Sequence, residues 1–183
     1  MALVVLLGGA RSGKSVLAVR LAQARSASVV MIATAEALDD EMAARIEQHR
    51  RERPDWETIE TPVELESAIA SVPDETTTII DCLTVWVSNL LIAGVDSTQI
   101  TARASALAEQ VGRRAGLTIA VSNEVGMGIV PDNALARRYR DVLGAVNATW
   151  AAAADHAHLL VAGRLLSLTS ADPLTEELRA HGF

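Results

Sequence analysis

A mostly parallel sheet flanked by helices, in a three-layer α/β/α arrangement, is what this sequence predicts, and three observations carry the prediction. Short apolar runs alternate with helical segments along most of the chain. The first run, Leu3–Leu7, leads straight into Gly8-Gly9-Ala10-Arg11-Ser12-Gly13-Lys14-Ser15, the G-x-x-x-x-G-K-[ST] phosphate-loop spacing in its strand-to-helix setting. The 183 residues are 50% hydrophobic, one domain's length and enough to bury a core. A single domain over 1–183 is therefore expected. No internal repeat, low-complexity tract or linker breaks it, and only a tail over 164–183 departs from the pattern.

The elements follow in order. Leu3–Leu7, Val29–Ala33, Thr77–Asp81, Thr118–Ser122 and His158–Ala162 read as buried strands, and the helices between them make the connections parallel. Trp56–Glu60 reads as a short extra strand. The helix opened by the glycine-rich loop presents Val16, Leu17, Leu21 and Ala24 as its apolar face. A second helix carries Met42 and Ile46 and ends near Pro54, since a proline disfavours helical backbone in the residue before it. Thr61-Pro62-Val63-Glu64 has the form of a capping box with proline at the first helical position, starting a third helix along Leu65, Ala68 and Ile69. Ile100, Ala104, Leu107 and Val111 line one side of a helix over Ser97–Ala115 that stops at Gly116. Asp132 or Asn133 caps an alanine-rich helix reaching about Asp155, and Asp172-Pro173 starts a terminal one.

Composition narrows the partners. A formal net charge of −7 with 3% aromatic residues lacks the basic footprint and the stacking platforms of nucleic-acid binders, so a small molecule is expected and nucleic acid is not. One cysteine, Cys82, excludes an internal disulfide and a cysteine-rich metal site, in keeping with a reducing compartment. The first apolar run has no basic segment before it and is too short for a signal peptide or a membrane span. A cytoplasmic protein is the expectation.

Three segments carry candidate chemistry. In the loop, Gly8 and Gly13 can take backbone conformations closed to other residues, so consecutive N–H groups can curl round phosphate oxygens at a helix N-terminus. Lys14 adds a point charge near the β and γ phosphates, and Ser15 offers a hydroxyl to Mg²⁺. Asp81, at the carboxyl end of its strand, faces the crevice where such sheets bind ligands, either as a second metal ligand or as a cap for the next helix. The segment Asp39 to Arg53 gathers Arg45, His49, Arg50, Arg51 and Arg53 on one helix of an acidic protein. It reads either as a solvated helix whose basic end complements its dipole or as a site. For the second, His49 falls three residues after Ile46 and seven after Met42, on the inward side. Asn123–Pro131, with two glycines and no hydrophobic period, is a loop at the ligand edge that either simply connects or lets a substrate approach closely.

Together, Gly8–Ser15, Ile32-Ala33-Thr34-Ala35, Asp39-Asp40-Glu41-Met42 leading to Arg45-Ile46 and His49-Arg50, Trp56 with Thr58 and Glu60, Asp81-Cys82 with Asn89-Leu90, and Asn123-Glu124-Val125-Gly126-Met127-Gly128 resemble one family. It is the bifunctional adenosylcobinamide kinase/adenosylcobinamide-phosphate guanylyltransferase family of cobalamin biosynthesis. The likeness runs from about Leu3 to Gly163; the tail beyond is longer than the family leads one to expect. The resemblance implies a RecA-like P-loop NTPase sheet, a homotrimer, and His49 as the nucleophile that takes GMP from GTP; Gln48 beside it cannot do that chemistry. It also implies nucleotide contacts from Gly8, Gly9, Ala10, Arg11, Ser12, Gly13, Lys14 and Ser15, from Ala33, Thr34 and Ala35, from Arg50, Arg51, Glu52 and Arg53, and from Glu60 and Asp81, with Ser15 and Asp81 on Mg²⁺. ATP or GTP would feed a kinase step and GTP a guanylyl step. Two rivals stand beside this reading. One is a plain phosphate-loop kinase in which His49 is structural. The other is a nucleotide switch, against which the lack of an N-K-x-D stretch counts.

Overall fold

The computed structural model describes residues 2–37, 40–51 and 53–170. In chain order it runs β1 (Ala2–Gly8), α1 (Lys14–Arg25), β2 (Val29–Ala33), α2 (Asp40–Arg51), β3 (Glu57–Glu60), α3 (Leu65–Ser71), β4 (Thr77–Asp81), α4 (Leu83–Ile92), α5 (Ser97–Gly112), β5 (Leu117–Val121), α6 (Ala134–Ala153), β6 (His156–Val161) and β7 (Arg164–Leu168). The seven strands form one sheet in the order β3-β2-β4-β5-β1-β6-β7. Every pairing is parallel except β6 with β7. This is the α/β sheet of a P-loop NTPase, RecA-like in having one strand, β5, between the loop-bearing β1 and the Asp81 strand β4.

Alternation along the strands feeds two cores. Leu3, Val5, Leu7, Ile32 and Ile80 pack under α3, α4, α5 and α6, while Val4, Leu6, Met31, Ile79 and Val121 pack against α1. The face of α1 is not the expected one: Ala18 and Ala22 are fully buried, Leu17 and Leu21 flank them, and Val16 and Ala24 are exposed. Small residues bring the helix axis close to the sheet, which turns the larger ones to the rim.

Other expectations needed correction. Thr61–Glu64 makes no capping box, since α3 begins at Leu65 with no side-chain cap. Its backbone is committed elsewhere: the Pro62 carbonyl accepts from Asn89 Nδ2 at 3.0 Å, and Val63 accepts from Trp86 Nε1 at 3.0 Å and Arg103 Nη2 at 2.9 Å. The helix expected over Ser97–Ala115 ends at Gly112, and Arg114 turns inward to donate to the Ile69, Val72 and Pro73 carbonyls. Of the two candidate caps for α6, Asn133 is used, accepting from Leu135 and Ala136 N–H. The hydrophobic helix α4 is set between β4 and α5, a stretch with no element among those expected from the sequence. The supposed tail begins with a strand, β7, turned back by Ala162 and Gly163 at φ 49° and 73°. The helix expected from Asp172-Pro173 lies outside the described residues.

Candidate active site

The phosphate loop is shaped before any ligand is considered. Gly8 has φ 150°, and a Cβ there would stand 2.4 Å from the Leu160 carbonyl oxygen and 2.8 Å from Ser12 Oγ, so no other residue fits. Arg11 and Gly13 also hold positive φ, 56° and 100°. Within this curl the Lys14 ammonium donates to the Gly8 carbonyl at 2.8 Å and the Gly9 carbonyl at 2.7 Å, with Ser12 Oγ at 3.4 Å. Lys14 is only 6% exposed, so its charge is fixed at the start of α1. Ser15 follows, part-buried in the first turn of α1, while Gly9, Ala10 and Arg11 face outward.

The carboxyl ends of β2 and β4 are knotted together. Thr34 is fully buried; its hydroxyl donates to the Cys82 carbonyl at 2.7 Å and accepts from the Cys82 N–H at 2.9 Å, and its N–H donates to the Asp81 carbonyl at 3.2 Å. Asn89 Nδ2 closes the knot on the Thr34 carbonyl at 2.9 Å. Of the expected nucleotide contacts, then, Ala33 and Ala35 are part-exposed beside a Thr34 whose side chain is spent on the scaffold. Leu6, Val121 and Asp81 share one register across β1, β5 and β4, so the Asp81 backbone is about 10 Å from that of the loop-bearing strand. Alternation from Ile79 puts the Asp81 carboxylate on the α1 side of the sheet. Cys82 does not carry the alternation on to the opposite face: the strand ends at Asp81, and Cys82 packs against the α1-side cluster. Burial, and then the Asp81 charge, push its thiol up to about 11.

The basic segment is less collected. Arg50 Nη2 pairs with Glu60 Oε1, and Arg51 Nε with Glu47 Oε1 at 3.0 Å, both pairs in solvent. Arg53 turns inward, donating from Nη2 to Thr58 Oγ1 at 2.9 Å, and its buried Nη1 has no hydrogen-bond partner among the described residues. Burial, and then the Arg50 charge, hold the Arg53 guanidinium below its ordinary value, while Asp81, Asp55 and Glu60 pull it up. It thus stands in the field of Asp81, an unspent donor where an anion would be welcome. The backbone of His49 lies in α2; its side chain and those of Met42 and Arg45 lie outside the described part, as do Asp39 and Glu52. Part-burial of Ile46 is what remains of the inward-face argument.

The loop after β5 joins the phosphate loop, since Glu124 N–H donates to the Gly8 carbonyl at 3.1 Å. Buried side chains hold its root: Ser122 Oγ donates to Asn147 Oδ1 at 2.7 Å, and Asn123 N–H to Thr84 Oγ1 at 2.5 Å. Sequence reasoning missed a second brace. Gly163 N–H, in the β6–β7 turn, donates to the Ser12 carbonyl at 3.1 Å. The signal was present, a two-residue turn ending in glycine between apolar runs. No group of three or more His, Cys, Asp or Glu side chains among the described residues forms a metal cluster. Nor is any described helix long and apolar enough to cross a membrane.

Residues 4–168 match the family described as cobinamide kinase/cobinamide phosphate guanyltransferase. A relative from Pseudomonas aeruginosa, the bifunctional adenosylcobalamin biosynthesis protein CobP, is 42% identical over 161 residues, 87% of this chain and 92% of the relative. The Escherichia coli and Salmonella typhimurium proteins, both called bifunctional adenosylcobalamin biosynthesis protein CobU, are 41% and 40% identical, each over 88% of this chain and 96% of the relative.

Proposed function

The chain belongs to the cobinamide kinase/cobinamide phosphate guanyltransferase family, and we propose that it performs both reactions on adenosylcobinamide and its phosphate, in the cytoplasm, as a one-domain homotrimer. The observation that carries the reading is the match of residues 4–168 to the family, beside relatives 42% and 41% identical that are named bifunctional. In the kinase step the hydroxyl of the aminopropanol arm attacks the γ phosphorus of ATP or GTP, and the nucleoside diphosphate leaves. Lys14, fixed at the start of α1, stabilises the charge on the transferring group.

In the guanylyl step neutral His49 attacks the α phosphorus of GTP, a phosphorus–nitrogen bond forms, and pyrophosphate leaves. The phosphate of adenosylcobinamide phosphate then attacks the same phosphorus, giving adenosylcobinamide-GDP and restoring the imidazole. Arg53 and Arg50 would neutralise the phosphates, with Arg50 exchanging Glu60 for an oxyanion; Arg53 Nη1, unpartnered among the described residues, supports this. Ser15 and Asp81 are oxygen donors of the kind Mg²⁺ takes alongside phosphate oxygens and water, and the ion would screen charge between the phosphates. Incubation with α-labelled and γ-labelled GTP tests this. Label on the protein from the α position and phosphate transferred to cobinamide from the γ position are expected. Only γ transfer leaves a plain kinase, and neither leaves a nucleotide switch.

A further inference from the structure

Four apolar side chains stand in solvent on the loop after β5 and the start of α6: Met127 is 78% exposed, Ile129 97%, Val130 60% and Leu135 55%. Their segment is not slack. On one side Val125 packs into the core under α3–α6, Asn147 Nδ2 donates to the Asn123 carbonyl at 2.9 Å, and Gly126 N–H bonds Glu124 Oε1 at 2.6 Å. On the other, Arg137 Nη1 donates to the Pro131 carbonyl at 3.0 Å and the Asp132 carbonyl at 2.6 Å, just before the Asn133 cap. Between these anchors residues 126–130 are all exposed. A chain with a net charge of −7 therefore holds an apolar tip out into water between two anchored ends, rooted by Glu124 on Gly8 of the phosphate loop.

We propose that this tip, Met127 and Ile129 with Val130 and Leu135 behind them, is the seat of the acceptor's corrin macrocycle, an inference that rests on cobinamide being the acceptor. The requirement is geometric. The reacting hydroxyl or phosphate sits on a short arm and must come within about 3–3.5 Å of a phosphorus atom, whereas the macrocycle is too broad to follow it into a loop closed round phosphates. The ring has to rest at the mouth, and what it offers there is methyl-studded, apolar area with an amide rim. β5 lies between β1 and β4, so the loop leaving it rises between Gly8 and Asp81, in the gap an acceptor arm must cross. Burying such side chains against the ring is the kind of contact that holds a large substrate, and it leaves the nucleotide alone.

The test is equilibrium dialysis of the full chain with cobinamide, read by its visible absorbance, in the presence of a GTP analogue that cannot be cleaved. The Met127→Ser/Ile129→Ser double variant should bind on the order of 10²-fold more weakly than the parent, about tenfold for each side chain. Protein labelling by α-labelled GTP without corrinoid should be unchanged in that variant, which shows that it is folded. Transfer of GMP to 1-amino-2-propanol phosphate, the arm without the ring, should be unchanged too. Equal cobinamide affinity in variant and parent overturns the proposal, as does a parent that binds none, or a variant whose only change is in oligomeric state. Should the parent form no GMP adduct, the transferase reading falls while the dialysis still decides the loop.

Discussion

The helices α1 and α2 are 12 residues each and each carries a residue on which the proposed chemistry turns, yet the chain holds them in opposite ways. In α1, Lys14, Ala18 and Ala22 are buried against the sheet, and the lysine is bound by the loop's own carbonyls. In α2, Ala43, Ala44, Glu47, Gln48, Arg50 and Arg51 are exposed, and among its described side chains only Ile46 is partly covered. Among its described side chains, Arg50 and Arg51 form surface ion pairs with Glu60 and Glu47, a kind worth about 0–1 kcal/mol each. The Lys14 charge, proposed to meet the β and γ phosphates, is thus fixed by folding. On the proposed reading, the helix of the nucleophile is the one the nucleotide should draw into place, with binding energy doing the positioning.

The largest expected effect separates the two helices. His49→Ala should abolish protein labelling by α-labelled GTP and formation of adenosylcobinamide-GDP, while kinase turnover stays largely intact, because an imidazole placed at the α phosphorus is too far along the triphosphate to act on the γ. The wild-type adduct should be labile to acid and stable to base, as a phosphorus–nitrogen bond requires. Labelling that persists in the variant would remove α2 from the chemistry. Lys14→Ala, in contrast, should lower both activities together, by about 10²–10³, or about 3–4 kcal/mol of transition-state stabilisation. Near-normal rates there would mean that the buried ammonium is not the shared element.

The same contrast governs how much was legible. Gly8–Ser15 declares itself because a backbone that wraps phosphate needs glycine at fixed places, and the collision a Cβ at Gly8 would meet is the reason. Strands buried on both faces are equally plain, since Val29–Ala33 and Thr77–Asp81 are apolar or β-branched almost throughout. What stayed hidden depends on partners far along the chain. Thr61–Glu64 looks like a helix start until Asn89, Trp86 and Arg103 claim its carbonyls. Cys82 follows strand alternation only for as long as the strand lasts, and Arg164–Leu168 looks like tail until β6 is seen beside it. In α2 the helical period places His49 on a face without saying what covers that face.

Cys82 gives the contrast a chemical readout, being the one cysteine of the chain and packed on the α1 side. With its thiol pushed up to about 11 by burial and Asp81, its reactive thiolate should become abundant only above that pH. At pH 8 a thiol reagent should label it on the order of 10²-fold more slowly than an exposed cysteine placed on α2 by Ala44→Cys in a Cys82→Ser background. Comparable rates for the two positions would show that the α1 side opens readily.

The smallest effect is one of stability, and it compares two alanines. Ala18 is 0% exposed against the sheet, so Ala18→Leu adds volume where interiors are close-packed and should destabilise by about 1–3 kcal/mol, read as a lower denaturant midpoint with an unchanged slope. Ala44 is exposed on α2, and Ala44→Leu exchanges two good helix formers in solvent, so the midpoint should move by no more than about 0.5 kcal/mol. The functional consequence should follow the same division: strain at Ala18 lies one turn from Lys14 and should slow both reactions, whereas Ala44→Leu should leave protein labelling intact. A loss above about 1 kcal/mol at Ala44 would mean that α2 is packed as tightly as α1, and its placement by the nucleotide would then have no basis.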